Sequence, residues 1–196
     1  VDFCNQHGIG IMMCADWRNP EKFPYYSVDN GAFSAWSNDV PWDEEHFLKM
    51  LGRARTSYIQ PDFVVVPDQV AAGRASLRFS VSWIKRLPEF PGTRYMLAVQ
   101  DGMEVDDVHK VLKKWDDFGG LFVGGTMGWK LRTSPQWVAL AHRHRMPCHI
   151  GRVGPWYRIM WAARIGADSI DSTTWVQQDR LSRPAGFRRT TPSGTA

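Results

Sequence analysis

RYMLAVQDGMEVDDVHKVLKKWDDFGGLFVGGT, residues 94–126, holds one complete structural repeat. RYMLAVQDG is an apolar run that ends in the turn former Gln-Asp-Gly. VDDVHKVLKKWDDFG follows, with acids in its first turn, apolar residues at helical spacing and Gly119 as its expected stop. GLFVGGT is a second short apolar run. A strand whose apolar residues do not alternate with polar ones is buried on both faces, as in a parallel sheet covered by helices. The unit therefore reads as strand, crossover helix, parallel strand.

The same alternation extends in both directions. GIGIMMCAD (8–16), YYSVD (25–29), DFVVVPD (62–68), CHIGRVG (148–154) and SIDSTTW (169–175) are the other candidate strands. WDEEHFLKMLGRA after Pro41, AAGRASLRFSVSWIKRL, and PWYRIMWAARIG closed by Gly166 are candidate helices. SPQWVALAHRHR opens with Ser134 in the N-cap position and Pro135 at the first helical position, which predicts a helix start there. The first residues read as the tail of a helix.

Seven strands recur with a period of roughly 25 to 30 residues. An eight-stranded barrel usually takes about 250 residues, with a lower bound near 200. The expected fold is α/β, a TIM-barrel-like (β/α)8 arrangement that is incomplete at seven countable parallel strands. The eighth would lie upstream of Val1 or be missing, and an open doubly wound sheet is the alternative. One domain is expected over 1–186, with FRRTTPSGTA (187–196) a flexible basic tail.

The composition is that of a globular chain, with 43% hydrophobic residues over 196. No apolar run approaches the roughly 20 residues of a membrane span, and VDFCNQHGIG lacks the regions of a signal peptide. Cys4, Cys14 and Cys148 form no CxxC, so free buried thiols in a reducing, cytoplasmic compartment are expected and a structural zinc site is not. A net charge of +4 is compatible with a polyanionic partner without requiring one. Arg180, Arg183, Arg188 and Arg189 thicken the charge near the C-terminus. Trp17, Trp36, Trp129 and Trp175 follow strand ends, where an aromatic can stack on a ring. Of the histidines, His142 and His144 read as surface residues, His149 as core or rim, and His7 and His46 as incidental.

In parallel α/β folds, chemistry collects at the C-terminal strand ends. Those ends carry Asp29, Asp68, Gln100-Asp101-Gly102, Gly124-Gly125-Thr126, Arg152 and Asp171. Each has an ordinary duty as a turn former or cap. Their shared location points to more. Two carboxylates suit chemistry at an anomeric carbon, one as nucleophile and one as proton shuttle. A third carboxylate with an amide and bare backbone can read a purine edge. GADSIDSTTW (166–175) sharpens the question, because it holds both Asp168 and Asp171 in an otherwise apolar setting.

VDNGAFS (28–34) resembles the DSGGFQ motif of tRNA-guanine transglycosylases. VVPDQV (65–70) resembles their strand ending in a base-reading Asp, LAVQDG (97–102) their GIVQGG, and FVGGTMG (122–128) their GGLAVGE. HIGRVG (149–154) resembles their MGVG, and GADSIDSTTW their G-V-D-x-F-D-C segment. The six matches fall in family order, each at a strand end. The resemblance implies that Asp171 is the nucleophile and Asp29 the general acid/base. It implies that Asp68 and Gln100 read the purine edge, helped by the backbone of Gly124 and Gly125. Asp168 is then structural.

The tRNA enzymes carry a CxCxxC…H zinc site after the nucleophile strand; this sequence does not, and Ser172 replaces their Cys. The short zinc-free form is similar to the DNA-modifying branch of phages and bacteria, which swaps guanine in DNA for a free 7-deazaguanine base such as 7-cyano-7-deazaguanine. That implies DNA as partner, tRNA as the alternative, and no cofactor. Lys130, Arg132, Arg152 and Arg158 are the expected phosphate contacts. Rival readings are a nucleosidase or DNA glycosylase on the same scaffold, a non-catalytic nucleic-acid-binding module, and an unrelated barrel enzyme using Gly124-Gly125 as a phosphate cradle.

Overall fold

A computed structural model describes residues 2–14 and 19–172 of the chain. Seven parallel strands, β1 (Ile11–Met13), β2 (Tyr26–Val28), β3 (Phe63–Val65), β4 (Arg94–Val99), β5 (Gly120–Val123), β6 (Cys148–Ile150) and β7 (Ser169–Ile170), pair in simple sequence order. Seven α-helices accompany them among the described residues: α1 (Asp2–His7), α2 (Ala32–Ser37), α3 (Glu44–Arg55), α4 (Arg74–Ile84), α5 (Val105–Lys114), α6 (Met127–Arg143) and α7 (Trp156–Arg164). The result is a curled half-barrel, a TIM-barrel-like and incomplete α/β fold, as expected.

The unbroken apolar runs are explained by two cores on opposite faces of one sheet. Successive side chains of a strand point to opposite faces. On β4, Leu97 and Val99 face outward into the main core, with Trp83 of α4, Val108 of α5 and Trp137 of α6. Met96 and Ala98 face inward with Phe63 and Val65, against Met12 and Phe122. By the same alternation Cys148 and Ile150 enter the outer core, while His149 turns inward and stacks on Phe122 with ring centroids 5.0 Å apart.

The register sets the rim. Val99 pairs with Val123, Val123 with Ile150, and Ile150 with Ile170. The residues that follow, Gln100, Gly124, Gly151 and Asp171, therefore stand side by side at the C-terminal end.

Several elements differ from expectation. α6 begins at Met127, not at Pro135, because the Thr126 side chain caps the helix by accepting from the Trp129 N–H. Pro135 lies inside the helix, and Ser134 is buried instead of capping. α5 ends at Lys114 with Trp115 as its cap; Gly119 instead donates its N–H to Tyr95 O. α2 is a helix that apolar periodicity did not announce. Gly166, at φ 81°, does sit just past α7 as a helix stop. All three cysteines are free; Cys148 is buried, and Cys4 and Cys14 are half-buried. No helix among the described residues is long and apolar enough to cross a membrane. Trp17, Trp175, Arg180, Arg183, Arg188, Arg189 and the tail 187–196 lie outside the described residues.

Candidate active site

A cavity of about 210 Å³ opens at the C-terminal strand ends. Asp29, Asp68, Gln100, Gly124, Gly125, Arg152 and Asp171 all line it. Its floor is the inner apolar core, Met12, Val65, Ala98 and Phe122. Pockets for drug-sized ligands run about 300–1,000 Å³, so this one suits a small ligand.

Asp171 stands immediately after β7. Its Oδ1 accepts from His149 Nε2 at 3.0 Å and from the Arg152 N–H at 3.1 Å. No described residue bonds its Oδ2. Burial by itself would raise this carboxyl. The His149 hydrogen bond and charge, the Arg152 N–H and the Lys130 charge outweigh it and hold Asp171 below the usual carboxylate range. His149 is 3% exposed and is steadied by Ser169 Oγ at 2.8 Å from its Nδ1. Its place in the site was missed in the sequence; the inward parity of β6 was the available signal.

Asp29 follows β2, where its N–H donates to Met13 O. Burial, and then the negative charge of Asp171, push its carboxyl up. One cavity thus holds a carboxylate displaced downward and a carboxyl displaced upward. That is the pattern by which two acids divide nucleophile and proton-donor duties.

Asp68 is held by two amides. Asn30 Nδ2 donates to Oδ1 at 2.7 Å, and Gln100 Nε2 donates to Oδ2 at 2.6 Å. Burial raises its carboxyl to about 6, with Asp29 adding to the rise and the two amides opposing it. Gln100 also donates to Ser76 Oγ and accepts from the Ala71 N–H. Both of its amide hydrogens are engaged, so Gln100 supports Asp68 and has no free donor for a purine edge, although it lines the cavity. Asn30, not among the expected site residues, does the same work from the other side.

Gly125, at φ 75°, sits where a Cβ would run into the Asp101 carboxylate and Trp129. Asp101 fastens this loop, accepting from the Thr126 N–H at 2.7 Å and Thr126 Oγ1 at 2.8 Å. Arg152 crosses the cavity mouth: its Nη2 donates to Gly125 O at 2.6 Å, and its guanidinium lies 3.3 Å from the Phe33 ring centroid. It does so from a left-handed backbone, φ 56°, which disfavours a non-glycine residue.

The expected phosphate contacts separate. Arg132 is exposed and Arg158 half-buried. Lys130 is fully buried and donates to Gly151 O, so it is not a surface contact; its long side chain runs inward from α6 to the loop that carries Arg152. Arg152 is half-buried and lines the cavity. Trp129 packs against Trp137 in the core, whereas Trp36 is exposed. Asp168 is structural, accepting from the Cys148 N–H at 2.7 Å and from His142 Nε2 at 2.9 Å. His144 pairs with His109 at 2.8 Å. Among the described residues no group of three or more His, Cys, Asp or Glu is placed to hold a metal.

The fold and the site define an incomplete TIM-barrel-like α/β protein with a carboxylate-lined cavity at its C-terminal strand ends. No family model matches the chain, and no curated protein matches it. Among solved structures it is similar to RipC from Yersinia pestis, with 12% identity and a TM-score of 0.51 over 90% of this chain and 95% of that one. At that identity the likeness shows the fold alone.

Proposed function

We propose that the chain is a pentosyltransferase that exchanges guanine in DNA for a free 7-deazaguanine base. Asp171 Oδ2 attacks C1′ of the target nucleotide, and the bond from C1′ to the guanine nitrogen breaks. Asp29 gives its proton to the departing base. The incoming base returns a ring proton to Asp29, attacks C1′, and frees Asp171. Asp68, steadied by Asn30 and Gln100, accepts from the amine and ring N–H of each base in turn. The target must leave its stack to be reached.

The observation that carries this reading is the opposite displacement of Asp29 and Asp171 within one small cavity. The motif resemblance to guanine transglycosylases supports it.

The test is exchange of labelled guanine in DNA against an unlabelled 7-deazaguanine base, with tRNA in parallel. Label replaced in DNA alone is the expected result. Loss without replacement would mean a glycosylase, and loss from tRNA alone would move the substrate. Asp171→Asn is expected to bind DNA and exchange nothing; full exchange by that variant removes Asp171 from its role.

A further inference from the structure

We propose that the rim beside the cavity is a stacking track for unpaired nucleobases, formed by Trp156 and Tyr157 on one side of Arg152 and Trp36 on the other. The proposal rests on the function given above and adds a substrate class: DNA engaged as a single strand.

Three large rings stand in solvent at one end of the sheet. Trp156 is 72% exposed, Tyr157 63% and Trp36 52%. Aromatic side chains normally bury most of their area, so rings left open around a cavity mouth call for a partner. Trp36 is joined to the cavity by contact, and Trp156 and Tyr157 by the chain that leads from Arg152. The Trp36 ring lies 5.7 Å from that of Phe33, and Phe33 lines the cavity beneath the Arg152 guanidinium. Arg152 leads within four residues to Trp156, the first residue of α7.

Charge selects the partner. No aspartate or glutamate occurs between Asp117 and Asp168, while arginines recur through that whole stretch. Arg158 stands 5.4 Å from the Tyr157 ring centroid, and its Nε is buried without a hydrogen-bond partner among the described residues. Around the start of α7, aromatic faces interleaved with cations, in a stretch of sequence without acids, match the surface by which proteins hold single-stranded nucleic acid. A duplex hides its ring faces; only unpaired bases present them. The strand so held would deliver its target base past Arg152 into the cavity.

The test uses the full chain with a dye-labelled single-stranded oligonucleotide, its duplex, and heparin as a polyanion without bases. The wild type is expected to prefer the single strand. Trp156→Ala/Tyr157→Ala should lose roughly fivefold or more in single-strand affinity per ring, with heparin binding unchanged. Trp156→Phe should keep most of the affinity, and a thermal melt checks that each variant folds. In the exchange reaction, KM for single-stranded DNA should rise at constant kcat. Unchanged single-strand affinity in the double variant, an equal loss on heparin, or no binding of any nucleic acid overturns the track. Normal exchange with an unchanged KM in the double variant overturns the track and leaves the transferase standing. Ring-dependent single-strand binding with no base exchange overturns the transferase and leaves the track.

Discussion

His149 Nε2 lies 3.0 Å from Asp171 Oδ1, and the imidazole is clamped between Phe63 and Phe122 inside the half-barrel. An ionised carboxylate can only accept, so this nitrogen donates. The pair fixes one oxygen of Asp171, and no described residue bonds the other. His149→Phe keeps the packing and removes the donor. A hydrogen bond to a charged group contributes about 1.5–3 kcal/mol, so exchange near pH 6 should fall roughly ten- to a hundredfold. Without His149, burial raises the Asp171 carboxyl, and the acid limb of kcat/KM must move to higher pH with partial recovery in alkaline buffer. An acid limb in the wild-type position would show that His149 does not act through Asp171.

Asp29→Asn removes the proposed proton carrier and keeps the shape. General acid–base catalysis contributes about 10²- to 10⁴-fold, and exchange should drop within that range. Affinity for the free deazaguanine base should change little. Equilibrium binding measured beside turnover separates the two, and a loss in binding alone would make Asp29 a contact residue.

Burial pushes the Asp68 carboxyl up to about 6. Its carboxylate, the form that accepts from a ring N–H and an amine, predominates above that value. Affinity for the free base should therefore fall as pH drops through 6. Asp68→Ala should bind weakly at every pH, with that step gone. Calorimetric titration across pH 5 to 8 checks both statements.

Lys130 is buried beneath the loop that bears Arg152, and burial, followed by the charge of Arg152, lowers its ammonium from 10.5 to about 7. Between those two values the unfolded chain binds the proton and the folded chain does not. Stability contributed by this group therefore rises as pH climbs from about 7 toward 10.5, and is lost as pH falls back through 7. Lys130→Met should flatten that rise, measured as Tm against pH, at the cost of an unpaired Gly151 carbonyl. A Tm profile identical to the wild type would place the charge elsewhere.

The strands were legible because both faces of the sheet are apolar, so DFVVVPD and RYMLAVQ show as unbroken runs. The carboxylates were legible because strand ends are where this architecture gathers polar groups. Three things were not. Pro135 mimics a helix start, and only the Thr126 cap on the Trp129 N–H reveals that α6 begins earlier. α2 is a single short element after a tight turn, too brief for periodicity. The roles of Asn30, Gln100 and Lys130 depend on partners brought from distant strands; Asn30 meets Asp68, 38 positions away. Charge by itself suggested that Lys130 sits at the surface, and its contact with Gly151 contradicts that.

The cavity floor is made of the same Met12, Val65, Ala98 and Phe122 side chains that fill the interior of the sheet. Ala98 is the smallest of them. Enlarging it would exclude a bulky base, and trimming Val65 or Phe122 would admit one, but either change also alters the packing between strands. Under the proposed exchange reaction, selectivity for base size and resistance to unfolding are thus written in the same atoms, and a lineage shifting from one modified base to another would have to repair its fold as it went.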